Sequence, residues 1–154
     1  MAIRALVIDP TTNSPVIILA RPEESSYLPI WIGVCEANAI ATQLEGVETP
    51  RPMTHDLIVS TIATLGYRLD HILIHSLDDS VFHASLHLTA TSGETREVDA
   101  RPSDAIAIAL RADADLLVDP SVLERAVVTE ASQEDAIRAI LERLRPEDMG
   151  DYEM

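Results

Sequence analysis

The sequence predicts a single α+β domain in which helices pack on a mixed or antiparallel sheet, followed by an amphipathic C-terminal helix. Three observations lead to this class. The chain has 154 residues, a length that fits one domain with a small addition. Its composition is 47% hydrophobic but only 3% aromatic, so the core must be built from aliphatic side chains. Short apolar runs typical of strands are separated by segments with helical spacing.

The first third of the chain predicts three strands, at residues 3–9, 15–20 and 27–32. The run at 15–20 is almost continuously apolar, which is typical of a central strand. Pro29 interrupts the third run, and because proline cannot donate to a strand ladder, we expect either a strand at a sheet edge or a bulge here.

Two helices are expected next, at residues 36–45 and 55–65. A glycine directly follows each of them and provides a stop signal. Thr54 is expected to cap the second helix, which places the side chains of His55 and Asp56 in its first turn.

Four histidines lie on the next two predicted strands, at residues 67–77 and 81–91. A three-residue loop between these strands places the histidines in cross-strand pairs on one face, whereas a two-residue loop separates the members of each pair onto opposite faces. Such pairs can chelate a transition metal, but more often they belong to a solvated or subunit-facing surface. The expected pairs are His71 with His87 and His75 with His83.

The most informative stretch is residues 97–111, where a strand leads directly into a helix. Pro102 suits the first helical position because its missing N–H costs nothing there. The following residues have no polar face before Arg111, so this helix should be largely buried. Polar side chains are concentrated at its start, and groups packed so closely must pair with one another or bind a ligand. They are Asp99, Arg101, Ser103 and Asp104.

The C-terminal part of the chain changes character. A short strand and a helical turn are expected within residues 114–126, and we place a boundary between a domain at 1–127 and a C-terminal unit at 128–154. In that unit, residues 132–145 predict an amphipathic helix, and the remainder forms an acidic tail.

The formal net charge of −15 restricts the possible functions. All 11 basic residues are arginines, and no short window gathers them into the basic stripe that nucleic-acid-binding proteins usually carry. Because the overall field repels polyanions, any contact with nucleic acid would need individual arginines or divalent metal ions.

No apolar run reaches the roughly 18 residues that a membrane span needs, and the N-terminal residues lack the pattern of a signal peptide. The single cysteine, Cys35, rules out an internal disulfide and metal motifs with several cysteines. We expect Cys35 to be a small buried side chain at the start of a helix. These features favour a cytoplasmic protein that does not partner a membrane.

Five blocks of the sequence carry a resemblance to a known family: LPIWIG at 28–33, EA at 36–37, LEGV at 44–47, RPMTHDL at 51–57 and DARPSDAIA at 99–107. Their order and spacing closely resemble the bifunctional nuclease domain family over roughly residues 1–127. The resemblance implies one α+β domain, often oligomeric, in a family whose members are credited with both DNase and RNase activity. Ser80 departs from the family pattern, since glycine is common at this hairpin tip.

The chemistry implied is phosphodiester hydrolysis assisted by a divalent cation, Mg²⁺ or Mn²⁺. Carboxylates bind such a cation, an arginine stabilises the negative charge of the reacting phosphate, and His55 would act as the base. We therefore expect catalytic roles for His55, Asp56, Asp99, Arg101 and Asp104, substrate contacts from Arg51, Arg101 and Ser103, and metal ligands at Glu45, Asp56, Asp99 and Asp104.

Two alternatives remain open. In one, the acids are structural, with Asp56 and Asp104 capping helices and Asp99 paired with Arg101. In the other, the chain is a non-catalytic binding or regulatory module, which the strongly negative charge favours, and it self-associates through the C-terminal helix. A homo-oligomer is expected in both cases, with a dimer as the first expectation, and nucleic acid is the partner only of the enzyme.

Overall fold

The structure, a computed structural model, describes residues 1–21 and 27–129, and in this part it confirms an α+β domain. The strands of the described part form two sheets, with helices packed against them. The helix expected at 132–145 lies outside the described residues. None of the helices in the described part combines the length and the apolar character that a membrane crossing requires.

The helices and strands of the described residues follow the predicted order closely. In chain order they are β1 (Ala2–Ile8), β2 (Pro15–Ala20), β3 (Tyr27–Trp31), α1 (Val34–Leu44), α2 (Thr54–Thr64), β4 (Tyr67–Asp78), β5 (Val81–Ala90), β6 (Thr95–Ala100), α3 (Pro102–Ala112), β7 (Asp115–Val118) and α4 (Pro120–Thr129).

The first sheet is antiparallel and has the strand order β1-β2-β3. Every residue of β2 is buried, as its continuous apolar run predicts for a central strand. β3 lies at the edge of the sheet, which confirms the position expected from Pro29.

Asp9 fixes the turn between β1 and β2. Its carboxylate accepts hydrogen bonds from the backbone N–H of Thr11 at 2.8 Å and from the hydroxyl of Thr12 at 2.8 Å. The indole Nε1 of Trp31 on β3 donates to the same carboxylate over 3.0 Å. These donors, with Trp31 first, lower the pKa of Asp9 to about 2, because they stabilise the ionised carboxylate.

The second sheet has the order β6-β5-β4-β7, in which β7 runs parallel to β4 and the other pairs are antiparallel. α3 connects β6 to β7, the two edge strands, so it has to cross the face formed by the central strands. This path explains its burial: the residues from Ala105 to Ala109 are all buried, as expected from the missing polar face.

The hairpin of β4 and β5 differs from the expected register near its tip. Its loop has two residues, Asp79 and Ser80, so that His83 pairs with Ser76 and the expected pairing with His75 is wrong. A β-bulge between Ile74 and Ser76 then shifts the register by one residue, which confirms the expected pair of His71 and His87 farther along. Their rings stack with centroids 4.3 Å apart, while the rings of His75 and His83 are 6.4 Å apart.

Three local expectations are wrong. The N-cap of α2 is Met53, one residue before Thr54, because the Asp56 carboxylate accepts the Met53 N–H over 2.7 Å and closes the first turn there. Cys35 is exposed, because α1 turns Ala37 and Ile40 toward the core and Cys35 away from it. The segment after β7 is a helix of 10 residues, α4, instead of a single turn.

Candidate functional site

Arg101 lies between two carboxylates at the start of α3. Its Nε donates to Oδ2 of Asp104 over 2.7 Å, and its Nη2 donates to Oε1 of Glu36 on α1 over 2.7 Å. The Arg101 side chain is still 65% exposed, and its Nη1 has no hydrogen-bond partner among the described residues. Two carboxylates thus fix the guanidinium group while one edge of it faces solvent.

Asp104 joins this arginine to a buried histidine. Its Oδ1 lies 3.1 Å from Nε2 of His55, which is in the first turn of α2 and only 9% exposed. Burial opposes ionisation of Asp104, but the hydrogen bonds from Arg101 and His55 outweigh it and leave the pKa of Asp104 below its usual value. An ionised carboxylate only accepts, so the proton on His55 must be on Nε2 when the imidazole is neutral.

The second ring nitrogen of His55, Nδ1, has no hydrogen-bond partner among the described residues. The His55 side chain as a whole is 11% exposed, so most of the ring is buried. With its proton held on Nε2, the neutral ring keeps a free electron pair on Nδ1.

Glu36 is the residue that sequence reasoning missed at this site. It lies in the first turn of α1, and its carboxylate folds back over the helix start, so close to Gly33 that a Cβ there would be 2.1 Å from Oε2. Bonds from its own backbone N–H and from Arg101 lower the pKa of Glu36. The signal that could have revealed it is its position in the first turn of a helix directly after a glycine.

The structure brings three of the predicted residues together, because Asp104 contacts both His55 and Arg101. With Glu36 they form a line of four side chains that runs from α2 through α3 to α1. We call this line the Arg101 group. The predicted structural pair of Asp99 and Arg101 is not formed, because Arg101 is held by Asp104 and Glu36 instead.

Asp56 is held by different partners from those of Asp104. Its Oδ1 accepts the Nε–H of Arg111 over 2.5 Å, and its Oδ2 accepts the Met53 N–H at the start of α2. These contacts, the Met53 N–H first among them, lower the pKa of Asp56. Arg111 lies seven residues after Asp104 on α3, roughly 10 Å along the helix axis. Asp56 therefore caps a helix and pairs with Arg111, as the structural alternative expects.

The other predicted site residues make no side-chain hydrogen bond or ion pair with the Arg101 group in the described part of the chain. Asp99 is exposed on β6, where its backbone pairs with Ser85 of β5. Glu45 is the exposed C-cap residue directly after α1, and Arg51 is exposed in the loop before α2. Ser103 lies in the first turn of α3 and is 7% exposed, so it is largely shielded from solvent.

The carboxylates do not converge into a metal site. Within residues 1–21 and 27–129, no three His, Cys, Asp or Glu side chains are arranged to hold a cation. The positions explain this: Asp104 is engaged by Arg101 and His55, and Asp56 by Arg111. Among the described residues, the donors therefore do not fit a divalent cation held by the protein alone.

The comparisons with known proteins agree with the sequence blocks. Residues 17–131 match the family model described as the bifunctional nuclease domain. Uncharacterized proteins from two strains of Mycobacterium tuberculosis are each 42% identical to the chain over 137 residues, which are 88% of this chain and 81% of theirs. Bifunctional nuclease 2 of Oryza sativa subsp. japonica is 29% identical over 119 residues, 75% of this chain and 36% of that protein.

The matched residues include the whole Arg101 group and all three helices that support it. The family model thus covers the part of the chain that carries Arg101 and its partners. The chain belongs to the bifunctional nuclease domain family, which confirms the resemblance predicted from the sequence.

Proposed function

We propose that the chain cleaves phosphodiester bonds of DNA, RNA or both at the Arg101 group. The observation that supports this most directly is the exposed edge of Arg101, a guanidinium group fixed by two carboxylates. Family membership and the nuclease name of the Oryza sativa relative support the same reaction class.

In this proposal Arg101 contacts the phosphate. Its Nη1 edge is directed to solvent and matches the charge and hydrogen-bonding geometry of a phosphate oxygen. Because Asp104 and Glu36 already hold the side chain, little of its conformational freedom is lost when the phosphate binds.

His55 is the proposed base. A neutral imidazole with its proton on Nε2 can take a proton from the attacking water at Nδ1, and Asp104 holds the ring in that tautomer. The proton then moves from His55 to solvent, and the leaving oxygen is protonated by water. Asp104 stays ionised throughout and acts by orienting both His55 and Arg101.

The divalent cation, Mg²⁺ or Mn²⁺, remains a prediction, as do the metal-ligand roles of Glu45, Asp56, Asp99 and Asp104. Of these residues, Glu45, Asp56 and Asp99 have no hydrogen bond or ion pair to the Arg101 group in the described part of the chain. The proposed steps use side chains of the protein only, and the effect of added cations is an outcome of the experiment below.

The test is cleavage of labelled single-stranded DNA, double-stranded DNA and single-stranded RNA, with Mg²⁺, with Mn²⁺ and with a chelator. We expect the purified chain to cut at least one of them. Arg101→Lys should lower kcat by about 100-fold, because lysine cannot bridge two carboxylates and still present a planar edge.

The matched control is Arg96→Lys, since Arg96 is 64% exposed, similar to Arg101, and pairs with Glu94 on its own hairpin. Circular dichroism checks that each variant is folded. If all three proteins cut equally, the activity belongs to a contaminant or to another part of the chain. If the unmodified chain cuts nothing under any condition, the non-catalytic binding or regulatory module is the better description.

A homodimer and a cytoplasmic location complete the proposal. The exposed side of α2 carries Leu57, Thr61 and Thr64 and no charge, and Leu57 is 60% exposed. Each copy has a net charge of −15, so two copies repel each other least when they approach through this uncharged face of α2. Sedimentation of Leu57→Lys tests the dimer: it should be monomeric, whereas Val81→Lys, at another exposed apolar position, should sediment like the parent chain.

A further inference from the structure

Glu36 has contacts that exceed what a helix-start carboxylate needs. Its side chain is only 16% exposed, it accepts its own backbone N–H, and it receives the Nη2–H of Arg101 across the boundary between α1 and α3. These two residues are 65 positions apart in the sequence. The contact therefore depends on the packing of the two helices and not on local sequence.

The two carboxylates on Arg101 have different effects. Asp104 is three residues away on the same helix start, and it holds Nε. One contact at Nε still allows the end of the guanidinium group to swing about the side chain. Glu36 holds Nη2, and only the pair of contacts defines which edge of the guanidinium group faces solvent.

We propose that Glu36 is a positioning residue that fixes Arg101 so that its Nη1 edge meets a substrate phosphate. This inference rests on the proposed function, in which Arg101 binds the phosphate of a nucleic acid. Glu36 itself does not touch the substrate. It selects the orientation of Arg101, and its loss weakens phosphate binding more than it slows the chemical step.

Gly33 leaves the space that the Glu36 carboxylate needs for this contact. The Oε2 atom of Glu36 occupies the space in which a Cβ on residue 33 would lie, at 2.1 Å. An alanine at this position therefore pushes the carboxylate out of place without changing its charge. Gly33→Ala should reproduce the effect of removing the Glu36 carboxylate, because both changes release Nη2 of Arg101.

The experiment combines two readouts on the full chain. The first is the NMR signal of the Arg101 Nε–H group, which is assigned by Arg101→Lys among the 11 arginines of a chain without lysine. The second is the separation of KM from kcat with single-stranded DNA or RNA. The variants are Glu36→Gln, Gly33→Ala and, as the control, Glu94→Gln, which removes the exposed carboxylate next to Arg96.

In the parent chain we expect an ordered, dispersed Arg101 signal. In Glu36→Gln and Gly33→Ala the signal should move to the position of a mobile arginine, and KM should rise about tenfold with kcat changed less than about twofold, as expected for one charged hydrogen bond. Glu94→Gln should change neither readout. Glu36→Asp keeps the charge but is one methylene shorter, so an intermediate KM is expected.

An Arg101 signal that is unchanged in both α1 variants overturns the positioning role, whether or not the chain cleaves nucleic acid. A mobile Arg101 with an unchanged KM overturns its link to phosphate binding. If the parent chain cleaves nothing, the proposed function fails. In that case the positioning role of Glu36 is still supported if Arg101 is mobile in the variants and the variants bind single-stranded DNA more weakly than the parent chain. Equal binding of single-stranded DNA by the parent chain and the variants contradicts that role.

Discussion

Arg111 on α3 donates its Nε–H to Oδ1 of Asp56 at the start of α2, over 2.5 Å. Its two other nitrogens donate to the carbonyl oxygens of Ala107 on α3 and Ala39 on α1, at 2.9 and 3.0 Å. The side chain is 6% exposed. One buried arginine therefore links the three helices that support the candidate site.

Arg111→Met should destabilise the fold by about 3 kcal/mol, because Asp56 and two partly buried carbonyl oxygens each lose a donor at once. Urea unfolding at neutral pH measures this change. Arg96→Met is the matched control, since its exposed pair with Glu94 should contribute less than about 1 kcal/mol. Equal losses in both variants would mean that the three-helix contact is no stronger than a surface ion pair.

Asp104 should make stability depend on pH. Its pKa is lowered in the folded state, so its contribution is present above the ordinary Asp value and is lost as the pH falls through the folded value. We expect Asp104→Asn to be less stable by about 1 to 2 kcal/mol at pH 7, with a smaller difference in acid. Unfolding in urea at several pH values tests this, and a difference that grows toward low pH contradicts it.

Asp99→Asn is the control for that series. Asp99 is exposed and has no hydrogen bond or ion pair from its side chain in the described part of the chain. Its replacement should leave the stability unchanged at every pH. A pH-dependent loss in this variant would show that Asp99 has a partner that the contacts described above do not include.

Asp9 should also make stability depend on pH in the same direction. Its pKa is about 2 in the folded state, so the advantage of the parent chain over Asp9→Asn is present above the ordinary value and is lost as the pH falls to about 2. Trp31 is the only tryptophan and donates to Asp9, so its fluorescence follows unfolding. An advantage that already disappears at pH 4 would contradict the network around Asp9.

Ser80→Gly should stabilise the hairpin of β4 and β5. Ser80 has a φ of 65°, a left-handed conformation that costs a residue with a Cβ about 1 kcal/mol relative to glycine. Thermal unfolding should therefore shift upward by a few degrees. Ser92→Gly in the next turn, where φ is not positive, should be neutral or destabilising. A loss of stability in Ser80→Gly would mean that the serine side chain contributes a contact that outweighs the strain.

The elements with a strong local pattern are those that the sequence predicts well. β2 has the predicted bounds, α3 begins at Pro102, and both are buried as their apolar runs require. The hairpin register was predicted only in part, because the two-residue loop and the bulge at His75 cancel each other and neither has a distinct local signal.

For the candidate site, the sequence selected Arg101, Asp104 and His55, but not Glu36. It also grouped Asp56, Asp99 and Glu45 with them, although these residues have other places in the described structure. A sequence identifies acids at helix starts, but which of them meet depends on how the helices pack. That packing cannot be derived from residue spacing.

The sequence by itself determined an aliphatic α+β core and a buried helix whose start carries Arg101 and Asp104, because periodicity and capping are short-range properties of the chain. Only the tertiary structure decided their partners. β6 and β7 lie at opposite edges of their sheet, so α3 must cross it, in contact with α1 and α2. That crossing brings Glu36 to Arg101, 65 residues away in the sequence, and His55 to Asp104, 49 residues away. Asp56 is held instead by Arg111.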